Sequence, residues 1–304
     1  MDAVDARLPL VSVVTITYNH EPFIAKTIEG VLMQQVGFPI EYIIAEDCST
    51  DGTRKICEEY AAKYPDLIRL IVSDMNVGPG ENERRAYAAA RGKYIAYCEG
   101  DDYWTDPLKL QKQFDFMEAH PEYSVCFHGF HRIRGNVDAS YNSIADDKRM
   151  DDYGVVDITA RDFLNDKCNA LPLTMFFRAS MYNVDWAYKY KSYRDTHQIY
   201  LLLRNGKGAY MSFDGAVHVK HEGGVYTSQT ELVHALEAVD CFAGLYRKNR
   251  DDKDLKKRVA DVMLWCYDVS CKNDAKNEFY KKALKRLFVI PRITIAVLCK
   301  IIYK

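Results

Sequence analysis

Residues 92–104 read Gly92-Lys93-Tyr94-Ile95-Ala96-Tyr97-Cys98-Glu99-Gly100-Asp101-Asp102-Tyr103-Trp104. Positions 94–98 form an apolar and aromatic run of strand length, which predicts a short buried strand. Three carboxylates follow at once, Glu99, Asp101 and Asp102, with Gly100 among them. An apolar strand that delivers clustered acids to its end is costly unless something neutralises them. A hard divalent cation such as Mg²⁺ or Mn²⁺ does so, because it prefers oxygen ligands. An acidic turn in water is the plainer alternative, and the segment by itself does not choose between them.

The sequence upstream bears on that choice. Positions 10–17 (LVSVVTIT), 40–45 and 67–73 are further apolar runs of strand length. Helical spacing follows each of them, over about 22–35, 51–64 and 82–91. Pro22 suits a first helical turn, and Thr50 or Asp51 suits a cap. Four strands therefore alternate with three helices up to residue 98, which predicts a doubly wound parallel sheet with right-handed crossovers. In such sheets ligands bind beyond the carboxyl ends of the strands. Topology then gathers Tyr18-Asn19-His20, Glu46-Asp47, Asn76-Val77-Gly78 and the acidic cluster along one edge. That convergence favours the metal reading.

Beyond Trp104 the pattern predicts helices at 107–120, 160–166 and 195–203. Strands are expected at 124–132, 173–177, 209–213 and 216–219, with a polar, mobile loop at 136–153. From 230 onward only helices are expected. The basic, apolar segment 281–304, interrupted by Pro291, suits either an anionic membrane interface or the protein's own surface. The expected division is a domain over 1–228, with a nucleotide half to about 105 and an acceptor half over 106–228, then a helical region over 229–304.

Composition narrows the function classes. The net charge of -2 over 304 residues argues against nucleic-acid binding. Nine scattered cysteines without a C-x-x-C pair argue against a disulfide framework or a zinc site, and for a reducing cytosol. The charged stretch 1–8 predicts no signal peptide, and no purely apolar run reaches membrane-spanning length. No Gly-rich phosphate loop follows the first strand, which argues against a dinucleotide-binding domain or a P-loop enzyme.

The motifs SVVTITYN (12–19), IIAEDCSTDGT (43–53), NVG (76–78) and GKYIAYCEGDDYW (92–104), in that order, resemble the family 2 nucleotide-sugar glycosyltransferases of the GT-A fold. The stretch 100–113, GDDYWTDPLKLQKQ, is similar to bacterial members that build capsular polysaccharide, exopolysaccharide or lipopolysaccharide. The resemblance covers roughly residues 9–228. It implies a GT-A domain (a Rossmann-like, mostly parallel sheet flanked by helices) with a C-terminal helical appendage.

The resemblance also implies site roles. Glu99-Gly100-Asp101 stands where the family has D-x-D, so Asp101 would ligate Mn²⁺ or Mg²⁺ and Glu99 would approach the ribose or the metal. Asp102 would ligate through water or fix the loop. Tyr18 can stack on a flat base and Asp47 can accept its ring N–H, which favours uracil and hence a UDP-sugar. Thr17, Asn19, Asn76, Asn82 and Arg85 join the nucleotide side, Arg85 because Glu83 stands where the family often has arginine. Asp195, opening a helix, matches the general base, with His197 as a substitute. His221, before the hinge glycines Gly223 and Gly224, matches the late histidine that meets metal or diphosphate. Trp104 would lie by the acceptor, a glycan or lipid-linked oligosaccharide, or else belong to the core. A single base implies inversion at the anomeric carbon. The expected location is cytoplasmic, peripheral to the inner membrane. A non-catalytic sugar-nucleotide-binding module and a nucleotidyltransferase are the competing functions.

Overall fold

The computed structural model describes residues 9–135, 137–141, 144, 150, 151, 154–168, 170–190, 193–224, 229–287, 293–295, 297 and 298. The first half follows the alternating pattern. Val11–Thr17 (β1), Ile24–Leu32 (α1), Ile40–Glu46 (β2), Thr53–Lys63 (α2), Ile68–Val72 (β3), Pro79–Ala89 (α3) and Tyr94–Tyr97 (β4) run in that order. Strand β1 lies between β2 and β4, and β2 also pairs with β3, every pair parallel. The order β3-β2-β1-β4 puts four carboxyl ends on one edge.

The second half departs from a purely parallel sheet. It contains Tyr103–Trp104 (β5), Lys109–Ala119 (α4), Tyr123–Arg134 (β6), Val137–Tyr141 (β7), Val155–Ile158 (β8) and Ala160–Leu164 (α5). Phe176–Arg178 (β9), Trp186–Lys189 (α6), Asp195–Asn205 (α7) and Lys207–Lys220 (β10) complete it. Strand β9 is antiparallel to both β4 and β6 and joins the two halves into one sheet. Strand β10 runs parallel to β6 and antiparallel to β5 and β8.

Three expectations are corrected here. The strand expected at 173–177 begins later, because Pro172–Thr174 forms a 3-10 turn. The two strands expected at 209–213 and 216–219 are one strand, β10, whose pairing with β6 is irregular around Met211, Asp214 and Ala216. Part of the expected loop at 136–153 is β7, hydrogen-bonded to β6 as its hairpin partner; positions 136, 142, 143, 145–149, 152 and 153 lie outside the described residues.

Alternation along the strands builds a core on each face of the sheet. Val13 packs with Ile24, Ile28, Tyr42 and Leu110 on the side of α1, α2 and α4. Its neighbour Val14 packs with Ile43, Tyr87, Phe177 and Leu202 on the side of α3 and α7. A third apolar cluster joins α5 and α7 to Glu231–Lys248 (α8), Lys253–Lys272 (α9) and Lys276–Leu287 (α10). Polar ties clamp this layer: Tyr200 Oη donates to Asp252 at 2.8 Å, and Arg258 forms a bidentate pair with Asp166. Ala283, Ile293 and Val297 of the basic tail are buried in the same cluster, beside Phe279. These apolar residues of the tail are turned toward the protein, whereas Ile295 is exposed. Among the described residues no helix is long and apolar enough to cross a membrane, and the eight described cysteines are free thiols.

Candidate active site

The turn after β1 and the turn after β4 meet because their strands are parallel neighbours. Gly100 makes that approach possible: its N–H donates to Ile16 O at 3.0 Å. A Cβ at Gly100 would lie 2.6 Å from Thr17 Oγ1 and 2.8 Å from His20 Nδ1, so no side chain fits there. Asn19, with φ at 55°, turns the chain, as a short amide side chain tolerates. Its Oδ1 accepts the Thr50 amide at 2.8 Å and its own N–H donates to Ser49 Oγ at 3.0 Å. The β1 turn is thereby fastened to the turn after β2.

Three potential ligands converge on this edge. His221 Nε2, just past β10, lies 3.0 Å from Asp101 Oδ2, and His20 Nε2 lies 3.9 Å from the same oxygen. All three ligand atoms fall within 4.8 Å of one another. The His221 ring packs on Phe23 at 4.5 Å between centroids, and Thr17 Oγ1 lies 3.3 Å from His20 Nδ1. Such outer contacts orient ligating rings. Burial lowers the pKa of His20 despite the opposing pull of Asp101, which keeps the ring neutral and able to ligate. Burial pushes the Asp101 carboxyl upward, but the hydrogen bond to His221 and the field of His20 outweigh it and leave it below its ordinary value. One carboxylate with two imidazoles suits Mn²⁺ better than Mg²⁺, which prefers an all-oxygen shell.

Asp102 does not join this group. Its carboxylate is 1% exposed, and Oδ1 accepts the Val219 amide of β10 at 2.9 Å. Burial, then the charges of Asp101 and Glu99, raise its pKa. That bond ties Asp102 to the strand that presents His221.

Of the residues expected to meet the nucleotide, Tyr18, just past β1, is 40% exposed. Asp47 is buried at the end of β2, where its two oxygens accept the Val77 and Gly78 amides at 2.8 and 2.9 Å. It therefore sets the course of the loop that carries the exposed Asn76. Asn82 and Arg85 belong to the packing of α3. Asn82 Nδ2 donates to Ala45 O at 2.8 Å, and Arg85 donates to Val72 O and Asn82 Oδ1. Those bonds turn Asn82 and Arg85 toward the β2–β3 backbone rather than toward a ligand, which corrects their expected place.

Of the two places expected for Trp104, by the acceptor or in the core, the structure gives the core. It is 2% exposed, its Nε1 donates to Leu173 O at 2.9 Å, and the Lys109 ammonium covers its ring at 3.9 Å. A ring so enclosed offers no face to a sugar.

Asp195 opens α7 and is exposed, with Oδ1 accepting the Thr196 amide at 2.7 Å. His197, the substitute base, is buried between Tyr190 and Tyr193, and burial lowers its pKa to about 3. Glu99 and Glu83 lie close enough to Asp195 to feel its charge. Burial, then Asp101, Asp195 and Glu83, raise Glu99. Burial raises Glu83 to about 8, and Asp195 adds to the effect against a bond from Tyr87.

A model of glycosyl transferase family 2 matches residues 12–185. The chain belongs to that family. The match takes in the turns after β1, β2 and β4 and stops before Asp195 and His221. Mycobacterium tuberculosis Rv1520 is 52% identical over 117 residues, covering 38% of this chain and 34% of that protein. TuaG of Bacillus subtilis, named for teichuronic acid biosynthesis, is 40% identical over 109 residues, covering 36% of this chain and 42% of its own. The match thus spans less than half of either relative. S. aureus TarS in complex with UDP-GlcNAc superposes with a TM-score of 0.67 at 19% identity, over 93% of this chain and 82% of that one. The fold of this family 2 chain is GT-A, as the sequence motifs implied.

Sequence reasoning puts His20 on the ligand edge without naming it a ligand, and it gives no role to Glu83. The signal for His20 is its place three residues past β1, beside the equivalent position past β4. Glu83 gives no local signal, because its burial comes from α7 and the segment around Tyr182.

Proposed function

We propose that this chain is an inverting, Mn²⁺-dependent glycosyltransferase. It takes a sugar from a UDP-sugar and passes it to a hydroxyl of a glycan or lipid-linked oligosaccharide in surface-polysaccharide synthesis. The observation that carries this reading is the convergence of His20, Asp101 and His221 within 4.8 Å at the carboxyl edge of the sheet. The family, and relatives such as TuaG, support the reaction class and the pathway type.

Tyr18 would stack on the base beside the loop that Asp47 shapes, and the diphosphate would lie toward Asp101. A bound Mn²⁺ would offset the charge growing on the departing diphosphate. The acceptor oxygen forms the new bond to the anomeric carbon as the sugar–phosphate C–O bond breaks. Its proton passes to the Asp195 carboxylate, and the nucleoside diphosphate leaves with the bonding electron pair. One displacement with one base inverts the anomeric centre. Buried His197 stands aside from the proton transfer.

The test is a donor screen that reads nucleoside diphosphate release with UDP-, GDP- and dTDP-sugars, with and without Mn²⁺. Release from a UDP-sugar that requires the metal is the expected result. No release from any donor would favour a non-catalytic sugar-nucleotide-binding module.

A further inference from the structure

Asp195 stands in the first turn of α7, and that turn has little of its own to hold it. Arg194, the residue before it, gives the helix no side-chain cap. The first amides of a helix have no partner within it, so without a cap the set of this turn depends on what packs around it. Two elements grip it. On α8, Glu237 accepts from Arg194 at 2.5 Å, and Cys241 Sγ lies 3.5 Å from His197 Nδ1. Both members of that ion pair are partly exposed, so water screens it.

On α3 the link is buried. Gln198 comes three residues after Asp195, which makes the two neighbours on the helix surface. Its Nε2 donates to Tyr87 Oη at 3.0 Å. Tyr87 Oη in turn donates to Glu83, one turn back on α3. Tyr87, Gln198 and Glu83 are all buried. The Tyr87 ring is held by Tyr182, Phe177 and Tyr97, at 4.8, 5.9 and 6.0 Å between centroids. A phenylalanine would fill that space as well. The hydroxyl adds only the link, and a buried group that accepts from one partner and donates to another fixes both in direction as well as distance.

We infer that the Tyr87 hydroxyl is a positioning group for the base: by tying Gln198 to Glu83 it sets the first turn of α7 and so aims the Asp195 carboxylate at the acceptor. The inference rests on the transferase reading and adds a residue that acts through Asp195 without touching substrate. Tyr87 belongs to the apolar cluster between the sheet and α3 and α7, apart from the edge where His20, Asp101 and His221 converge.

Tyr87→Phe keeps the ring and removes the link, and Gln198→Met breaks it from the other end. Each full-length variant is compared with the original by hydrogen exchange across the start of α7, and by turnover of the UDP-sugar that releases most UDP in the donor screen. Exchange there should quicken by about tenfold or more. The kcat should fall by about ten- to a hundredfold, with donor KM and UDP–Mn²⁺ affinity unchanged. Glu83→Gln still accepts from Tyr87 and should lose much less kcat than Glu83→Leu. Because Tyr87 acts through Asp195, Tyr87→Phe should add no further loss to Asp195→Asn. The inference is overturned if exchange at α7 is unchanged in both variants, or if Tyr87→Phe costs as much in the Asp195→Asn background. A loss of donor KM or UDP–Mn²⁺ affinity in place of kcat overturns it equally. An original chain that turns over no donor, or an Asp195→Asn variant with full turnover, would count against the transferase reading or its base, and the exchange measurement would still decide whether Tyr87 holds the turn.

Discussion

His221 Nε2 lies 3.0 Å from Asp101 Oδ2 although 120 positions separate them in the chain. With His20 at 3.9 Å from the same oxygen, the pair forms a compact three-ligand group. Asp101→Ala is expected to abolish Mn²⁺ binding. His20→Ala and His221→Ala should each weaken it by about tenfold or more. Mn²⁺ titration followed by electron paramagnetic resonance reads this directly. Unchanged affinity in His20→Ala would remove His20 from the ligand set.

Asp195 stands exposed at the first position of α7, whereas His197, in the same turn, is buried. Asp195→Asn should keep the fold and UDP–Mn²⁺ affinity and lower turnover by about 10²–10⁴. His197→Gln should leave turnover within a few-fold and lower thermal stability. The two variants exchanging these outcomes would reverse the assignment of the base.

Glu83 holds its proton up to about pH 8 because burial disfavours the anion. Unfolded glutamate loses its proton near pH 4.3. Between those values the folded state binds one more proton than the unfolded state, so this residue makes stability fall as pH rises. Glu83→Gln removes that slope. The stability of the variant relative to the original should rise by up to about 1.4 kcal/mol per pH unit across this window. Urea unfolding at pH 5, 6, 7 and 8 measures it, and a constant difference would show that Glu83 titrates normally.

Trp104 is enclosed by Lys109, the Leu173 carbonyl and the backbone packing of Gly30, so its loss is a core defect. Trp104→Ala should destabilise the fold by about 3–5 kcal/mol. Trp104→Phe keeps most of the volume and gives up one hydrogen bond, at a cost of about 1 kcal/mol. Its acceptor KM should be unchanged. A raised KM with normal stability would return Trp104 to the acceptor.

The half of the fold built from β1–β4 is legible in the sequence because each strand is an unbroken apolar run followed by helical spacing. The place of Asp101 beyond β4 follows from the same pattern, and the place of Tyr18 beyond β1 does too. What could not be read depends on partners distant in the chain. Strand β5 is two residues long, and β9 is three; neither has room for a period. Trp104 and Asp102 look like site residues because they adjoin Asp101. Their burial is decided by Leu173, Lys109 and Val219, which reach them only through the tertiary fold. His20 becomes a potential ligand only once β1 and β4 are known to be neighbours.

Strand β9 also shapes how the chain can be made. Strand β4 pairs with β1 on one side and with the three residues of β9 on the other. On the ribosome the half that carries β1–β4 emerges first, and N-terminal portions tend to fold first. The outer backbone groups of β4 then stay bare until residues 176–178 are synthesised. A bare edge invites pairing with another chain. The short antiparallel strand is thus the seal on a sheet that, during translation, stands open at its centre.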